Sequence, residues 1–390
     1  MHNPQALLLL QPSSTNKSVW RRQVKFRCER DTLAEAISIT QRAVAARSGA
    51  MPVLSGIKVT AADDTIELVG SDLDLTIRVR IPAQVDSPGV SVVPAKLFDG
   101  LTSRLKPGAV TFEVTGDDAK ISGGPAQVSV RLLPADDFPK VGSPEGTSVS
   151  VEAGPFAEAL RQVIPAASKD DARPILTGVL LAATATGLRL VATDSYRLAV
   201  RDLPGVGLLT EGQKVLVSAK GLNEVQRVFG TGSITVTLGE REVAFASEDR
   251  SVVTRLIDGD FPNYEQLIPD GYPNRLIVAK DALEEAARLM QIVGEGRDST
   301  PVRLTMSSEG LELSASAQER ADAKETIEAK FEGTDMSVAF NPQFLLDGLA
   351  AIGGEEALLE TVDPLKPATL RSTSETGGDF LYLLMPVRIS

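Results

Sequence analysis

The chain has 390 residues, of which 43% are hydrophobic, and its formal net charge at pH 7 is −12. This length is enough for roughly two to four domains, and the acidic balance excludes a uniformly basic nucleic-acid-binding surface, so phosphate contact would need a local excess of Lys and Arg. The single cysteine, Cys28, excludes an internal disulfide and is typical of a reducing, cytoplasmic setting, and no apolar stretch reaches the ~18 residues of a membrane span.

The first segment, residues 1–23, is expected to be a disordered leader, because it has neither the basic start nor the cleavage site of a secretory signal. It contains the only histidine, His2, and the only tryptophan, Trp20. A folded region that begins after it therefore has no histidine. This excludes Ser-His-Asp triads, Cys-His dyads and histidine metal sites.

The next predicted elements form one unit, and a DFP segment at 137–139 links it to the unit that follows. The hydrophobic pattern predicts an amphipathic helix from Asp31 (DTLAEAISI), alternating strands from Thr65 (TIELVGSDLDLTIRVRI) and a short helix within VVPAKLFDGL, which begins at Val92. Strict alternation of apolar and polar residues is typical of antiparallel strands with one buried face.

The same order of elements then returns twice along the chain. Helix segments GPFAEALRQV and KDALEEAARLM recur, as do strand segments GLRLVATDSYRLAVRDL and GLELSASAQERADAKETIEA. Pro94, Ser218 and Pro342 stand at intervals of 124 residues, which is the length of a whole domain and not of a solenoid repeat. We therefore predict three similar α+β domains, each with two helices and antiparallel sheets, at about 24–147, 148–273 and 274–390.

Four of the six predicted helices carry two cations about two turns apart, which would place both on one helix face. The pairs are Lys96 with Arg104, Arg161 with Lys169, Lys220 with Arg227 and Lys280 with Arg288. A lysine near a helix N-terminus is disfavoured by the helix dipole by roughly 0.3 to 1 kcal/mol. Two interpretations stay open: a solvated face, or phosphate contact without base reading.

Motifs for enzyme chemistry are absent from the sequence, which has no Walker-type phosphate loop, GxSxG, HExxH or CxxC. Asp72, Asp74 and Asp194 interrupt strands and are the candidates for a metal-dependent hydrolase, which is the alternative function. Local hydrogen bonding at a strand end is the competing interpretation of the same three residues.

Several motifs together resemble the family of bacterial DNA polymerase III β subunits, the replicative sliding clamps. They are VKFRCERDTLAEA from Val24, LVATDSYRLAV, DFPNYEQLIP and the closing YLLMPVRI. The resemblance covers 24–390. Family members usually begin at a Met-Lys-Phe that matches Val24, Lys25 and Phe26, so we expect translation from a GTG codon at Val24, with 1–23 upstream of the native protein.

The resemblance implies a DNA clamp fold in which a head-to-tail homodimer closes a ring of six domains, with helices lining the hole and sheets outside. It implies a cytoplasmic, nucleoid-associated processivity factor with no catalytic residues, no cofactor, no metal and no membrane contact. The implied partners are double-stranded DNA of any sequence, the replicative polymerase, an ATP-driven clamp loader, and other polymerases and repair proteins that bind through short peptides.

The resemblance also implies three groups of site residues. The DNA-facing residues would be Arg47, Lys96, Arg104, Lys169, Arg173 and Lys220, and the dimer contact would place Val128 and Val130 against Ile292 and Val293. The wall of the peptide pocket would be Arg173, Leu176, Thr193, Tyr196, Arg197, Leu198, Pro262 and Leu267, and its floor Leu383, Met385, Pro386, Val387 and Arg388. Tyr196 stands where some relatives have His and Leu267 where some have Val, so we expect an altered peptide preference.

Overall fold

The structure, a computed structural model, describes residues 24–45, 49, 51–293, 300–317, 321–374 and 379–388; the leader and Arg47 lie outside these ranges. The described residues contain six α-helices, two in each repeat. They are α1 Arg30–Thr40, α2 Ala95–Thr102, α3 Ala153–Val163, α4 Ala219–Val228, α5 Lys280–Val293 and α6 Pro342–Ala351. None of them is long and apolar enough to cross a membrane.

The strands of the described residues fall into three successive groups. The first repeat contains β1 Lys25–Glu29, β2 Gly56–Ala62, β3 Thr65–Ser71, β4 Leu75–Pro82, β5 Gln84–Ser87, β6 Gly89–Pro94, β7 Ala109–Thr115, β8 Asp118–Gly123 and β9 Ala126–Arg131. The second contains β10 Thr147–Glu152, β11 Gly178–Ala183, β12 Gly187–Thr193, β13 Arg197–Pro204, β14 Lys214–Ser218, β15 Ser233–Leu238, β16 Glu242–Ala246 and β17 Arg250–Arg255. The third contains β18 Asn274–Ala279, β19 Val302–Ser307, β20 Gly310–Ala317, β21 Ala321–Ile327, β22 Ala329–Glu332, β23 Met336–Phe340, β24 Glu356–Thr361, β25 Ala368–Ser372 and β26 Phe380–Leu384. The domain boundaries at 147/148 and 273/274 stay predictions.

The sheets do not coincide with the repeats. The strand orders are β5-β1-β7-β8-β9, β10-β15-β16-β17-β4-β3-β2-β6, β14-β11-β12-β13-β26-β25-β24-β18-β22 and β21-β20-β19-β23. The first repeat joins the second where β4 pairs antiparallel with β17, and the second joins the third where β13 pairs antiparallel with β26. Each internal junction is therefore a backbone hydrogen-bond ladder within one shared sheet. The strands at the equivalent positions in the outer two sheets, β9 of the first repeat and β21 of the third, have no such partner among the described strands and are edge strands.

The sequence periodicities explain the layers. On α1, Leu33, Ala36, Ile37 and Thr40 follow the helical i, i+3, i+4, i+7 spacing, and all four are buried. On β7, every second residue is buried, and Phe112 stacks on Phe26 of β1 with ring centroids 4.8 Å apart. Helices and antiparallel sheets thus pack as separate layers, which confirms the predicted α+β fold class.

The predicted pairing of cations on single helix faces is correct for α4 and α5 and wrong for α2 and α3. α2 ends at Thr102 and α3 at Val163, so Arg104 and Lys169 lie beyond the helix ends. Pro165 explains the end of α3, because proline lacks the N–H that would continue the helical hydrogen bonds. The spacing of two turns therefore does not place these two pairs on one face.

Candidate functional site

Two matching turns, one after β3 and one after β12, hold the three candidate acidic residues. Asp72 Oδ1 accepts hydrogen bonds from the backbone N–H groups of Asp74 (3.1 Å) and Leu75 (2.8 Å). Asp194 Oδ1 accepts the equivalent bonds from Tyr196 (2.9 Å) and Arg197 (3.0 Å). Asp72 and Asp194 therefore shape their own turns, as the strand-end interpretation predicts.

The same acidic residues are also paired with cations. Asp72 Oδ2 lies 2.6 Å from Lys220 Nζ, and Asp74 Oδ1 lies 3.4 Å from Arg255 Nη1. Asp194 Oδ2 lies 3.0 Å from the Nε of its neighbour in the turn, Arg197. Over the described ranges, no three His, Cys, Asp or Glu side chains converge on a position where they could hold a metal ion. The geometry therefore gives no support to a metal-dependent hydrolase.

Arg197 is the most elaborately bonded residue of the second turn. Its side chain is only 7% exposed, although the family resemblance implies a position in the pocket wall. It pairs with Asp194 of its own repeat and with Asp347 on α6, and its Nη1 donates to the Tyr382 hydroxyl of β26 at 3.3 Å. Its guanidinium carbon lies 4.3 Å from the ring centroid of Phe344.

The electrostatics of this cluster keep Arg197 charged. Burial acts to lower its pKa, and the neighbouring Tyr382 and Asp347 outweigh that effect, so the net shift of the Arg197 pKa is upward. Burial raises the pKa of the Tyr382 hydroxyl well above its ordinary value, so that hydroxyl stays neutral and accepts the bond from Arg197. The cluster is a charged, hydrogen-bonded link between the second and third repeats.

The C-terminal tail after β26 lies against both of these repeats. The Met385 N–H donates to the carbonyl oxygen of Tyr196 at 2.9 Å, and the Val387 N–H donates to the carbonyl oxygen of Ala339 on β23 at 2.8 Å. Two backbone bonds therefore fix the tail beside the turn that carries Tyr196. Tyr196 itself points into solvent, with 61% of its surface exposed.

The predicted pocket residues divide into a buried layer and an exposed rim. The buried layer consists of Leu176, Thr193, Arg197, Leu198 and Leu383. The exposed or half-buried residues are Arg173, Tyr196, Pro262, Leu267, Met385, Pro386, Val387 and Arg388. Leu198, Leu383 and Met385 belong to one apolar cluster with Phe261 and Tyr264 of the segment that follows β17, so the tail, the turn and this segment meet in one place.

A cavity of about 1250 Å³ adjoins this turn and brings together residues from two of the predicted sites. Lys169, Arg173 and Lys220, predicted to face DNA, line it together with Tyr196 and Arg197. Gln343, Phe344 and Asp347 of α6 also line it, and none of the three was predicted from the sequence. The 124-residue period carried a signal for one of them, because Phe344 stands at the repeat position of Lys96 and Lys220.

The predicted DNA-facing cations differ in how they are paired. Lys220 is tied to Asp72, and Arg173 donates to Asp170 (3.0 Å) and to the Ser195 hydroxyl (3.3 Å). Hydrogen bonds from the Ala172 N–H and the Arg173 side chain lower the pKa of Asp170.

The remaining predicted DNA-facing cations are less constrained. Arg104 Nη1 donates to the Gly100 carbonyl oxygen at 2.9 Å, and Lys169 is exposed in the loop after α3. Lys96, second residue of α2, is exposed, and among the described residues no carboxylate lies within ion-pair distance of it. Lys220 pairs with Asp72 and Lys280 donates to the Ile352 carbonyl oxygen. Of the three lysines near a helix start, Lys96 is therefore the one that makes no ion pair or hydrogen bond with its ammonium group among the described residues.

The predicted dimer contacts lie at the two edges left by the shared sheets. Val128 and Val130 are on the edge strand β9, and Ile292 and Val293 end α5, which packs on β20 and β21. Ile292 is 65% exposed, and two further apolar side chains are exposed on helices, Leu97 of α2 (55%) and Leu289 of α5 (45%). Two periods after Leu97, Leu345 of α6 is fully buried, where α6 contacts α3 of the second repeat.

Comparison with known proteins covers the whole described chain. Models of the N-terminal, central and C-terminal domains of the DNA polymerase III beta subunit match residues 24–142, 150–263 and 265–388. The beta sliding clamp of Streptomyces coelicolor is 33% identical over 384 residues, covering 94% of this chain and all of that protein. The DNA polymerase sliding clamp of Bacillus subtilis has a similar structure, with a TM-score of 0.86 at 28% identity over 94% of this chain and all of that one.

A sliding clamp from Pseudomonas aeruginosa, solved bound to griselimycin, is also similar, with a TM-score of 0.85 at 25% identity over 94% of this chain and all of that chain. Three consecutive domain models, a relative identical at one residue in three, and matching folds all lead to one family. This chain belongs to the DNA polymerase III beta subunits, the beta sliding clamps.

Proposed function

We propose that this sliding clamp works as a non-catalytic, cytoplasmic ring, a homodimer that encircles duplex DNA and tethers partner proteins through the pocket beside Tyr196. The observation that carries the proposal is the way the three repeats join. Each internal junction uses the fourth strand of one repeat, β4 or β13, and the last strand of the next, β17 or β26.

Among the described strands, two of these kinds take part in no internal junction. They are β21, the fourth strand of the third repeat, and β9, the last strand of the first repeat. Both are sheet edges. Pairing β21 of one chain with β9 of a second repeats the internal junction, and doing so twice closes a ring of six repeats. Such a heterologous contact closes only when the rotation per repeat is right, and the repetition of one junction type supports that closure.

Exposed apolar residues support the same contact. Leu97, Leu289 and Ile292 lie on helices α2 and α5, which would meet across the chain boundary as α6 meets α3 within the chain. At that internal contact, the Gln162 side chain of α3 donates to the Ala351 carbonyl oxygen of α6 at 2.8 Å, and Gln162 is buried. A second copy would bury the three exposed side chains, which supplies a hydrophobic driving force.

For DNA we propose contact through Lys96, Arg104, Lys169, Arg173 and Lys220, together with Arg47, which lies outside the described residues. Spaced single cations can neutralise phosphates without reading bases, which permits sliding, and the acidic remainder of the chain disfavours other nucleic-acid contacts. The sequence has no nucleotide-binding loop, so opening of the ring would be the work of an ATP-driven loader.

For partners we propose a short peptide with apolar anchors, presented by the replicative polymerase or by other polymerases and repair proteins. The exposed Tyr196 and Leu267 would form the rim over the buried Leu198 and Leu383, with Met385 between them. A few apolar contacts inside a polar rim suit such a ligand. Griselimycin binds the Pseudomonas aeruginosa clamp, and we propose that it would bind this chain at the same pocket, which makes it the probe for the site.

Retention on DNA of different shape tests the ring. After loading on nicked circular DNA, the protein should remain bound. Linearising the circle should release it, because a closed ring that slides on DNA can leave only over a free DNA end. Light scattering should give a mass near twice 41.3 kDa. Equal retention on circular and linear DNA, or a stable monomer at micromolar concentration, would contradict the proposal.

A further inference from the structure

We infer that Arg197 is a positioning residue of the peptide pocket: it fixes the turn that carries Tyr196 against the tail that carries Met385, without contacting the peptide itself. The inference rests on the proposed function of this pocket. It changes the role that the family resemblance suggests for Arg197, from a wall residue that contacts peptide to a buried support beneath that wall.

Burial argues against direct contact. The Arg197 side chain is 7% exposed, and two of its three nitrogens donate to groups of the protein: Nε to Asp194, and Nη1 to Asp347 and Tyr382. The ring of Phe344 covers one face of the guanidinium. A planar guanidinium held in this way by carboxylates and an aromatic ring is bound tightly in one orientation, and a peptide would have to displace these partners to reach it.

The bonds of Arg197 reach both sides of the pocket. Asp194, which holds the guanidinium through Oδ2, shapes the turn through Oδ1 by accepting the N–H of Tyr196. The carbonyl oxygen of Tyr196 in turn accepts the N–H of Met385. One side chain therefore connects the exposed rim residue, the tail and, through Asp347, helix α6 of the third repeat.

The turn contains an unusual backbone conformation that the matching turn after β3 shares. Ser195 has a φ of +82°, in the left-handed region that residues other than glycine rarely adopt, and Leu73 at the same position of the turn after β3 has a φ of +78° without such an arginine. Conformations of this kind persist where surrounding contacts hold them in place. Since both turns adopt it, the local backbone does not itself require Arg197, and the expected effect of losing the guanidinium comes from its bonds: the links from Asp194 to Asp347 and Tyr382 would break, and Tyr196 would move relative to Met385.

The first internal junction shows that joining two repeats does not require this arginine. The residue at the position of Arg197 in the turn after β3 is Leu75, which is buried, and Asp72 there pairs with Lys220 instead. The matching turn carries Leu73 and Asp74, with no aromatic rim residue. The buried arginine thus accompanies the pocket and not the junction, which is why we assign it to positioning.

The test measures griselimycin affinity together with the environment of Tyr196. The chain has four tyrosines, so fluorotyrosine labelling gives a ¹⁹F spectrum with few signals, in which Tyr196→Phe assigns the Tyr196 resonance. Arg197→Met keeps the length of the side chain and removes its charge and hydrogen bonds. We expect it to weaken griselimycin binding by about tenfold or more, and to shift the Tyr196 resonance before any ligand is added.

Two further variants separate positioning from general destabilisation. Arg161→Met is the matched control, because Arg161 also spans the second and third repeats, donating to the Ala350 carbonyl oxygen at 2.7 Å, and does not touch the turn. It should leave both affinity and resonance unchanged. Tyr382→Phe removes one buried hydroxyl that no ligand can reach, and should weaken binding in the same direction as Arg197→Met, by a smaller factor; it carries the test if Arg197→Met does not fold.

The outcomes distinguish this inference from the proposed function. If the wild-type protein binds griselimycin and neither Arg197→Met nor Tyr382→Phe changes the affinity, Arg197 does not position the pocket. Weaker binding with an unshifted Tyr196 resonance would mean that Arg197 contacts the ligand directly, and would also overturn the inference. If the wild-type protein does not bind griselimycin, the proposed pocket fails and the role of Arg197 fails with it, while the proposed ring is tested separately by its retention on circular DNA.

Discussion

Replacing Ile292 by Ala should weaken the dimer by an amount that follows from its exposure. Ile292 is 65% exposed in the single chain, and we propose that a second copy covers it. The substitution removes three carbons, so at ~0.8 kcal/mol per buried carbon, with about two thirds of that burial supplied by the partner, each interface loses ~1.5 kcal/mol. A closed ring contains the interface twice, so the dimer weakens by ~3 kcal/mol, roughly a hundredfold in dissociation constant.

Sedimentation velocity over a range of concentrations measures this change directly. Leu365→Ala is the matched control, since Leu365 is 70% exposed in the loop between β24 and β25, away from β9, β21 and α5. It should leave the dissociation constant as it is in the wild type. An unchanged constant for Ile292→Ala, or an equal loss in both variants, would refute the reasoning that places the interface at the end of α5.

Three other predictions concern the DNA surface, the tail and the core. Asp72→Asn keeps the acceptor that shapes the turn and releases Lys220, so DNA affinity at low salt should rise and the slope of log K against log salt should steepen by about one; an unchanged slope means that Lys220 does not reach phosphate. Replacing Met385 and deleting the residues after it should weaken griselimycin binding and leave the dimer intact, since the tail lies away from β9; unchanged affinity would show that the pocket is elsewhere. Burial raises the pKa of the Cys28 thiol to about 12, so a thiol reagent at pH 8 should react only after unfolding, and rapid labelling of the native protein would contradict this burial.

The fold class was predictable because periodicity and repetition are local properties of the sequence. The helix over DTLAEAISI and the strands of TIELVGSDLDLTIRVRI appear where the pattern predicts them, as α1, β3 and β4. The shared sheets were not predictable in this way. Pairing of β4 with β17 depends on a ladder between residues far apart in sequence, and hydrophobic alternation records which face of a strand is buried but not which strand lies beside it.

The site was predictable in composition and less so in arrangement. Sequence motifs named Arg197 and Tyr196 together, and nothing in adjacent letters shows that one is buried among carboxylates and the other is exposed. Asp347 and Phe344 were missed because they lie about 150 residues away and lack any motif of their own. A column-by-column comparison of the repeats singles out Phe344, since an aromatic ring there replaces the lysine of the other two repeats.

The ladders that run across the two internal junctions also determine how the molecule carries load. Five residue pairs join β4 to β17 and five join β13 to β26, and in each case the bonds cross the boundary side by side within one sheet. A force applied to the turn beside Tyr196 is therefore distributed over all the hydrogen bonds of the ladder between β13 and β26. It is transmitted to the neighbouring repeat through the sheet and not through the connecting segment. The proposed seam between chains repeats this ladder and differs from an internal junction only in lacking a connecting segment, so the seam is where the proposed ring can separate into two chains.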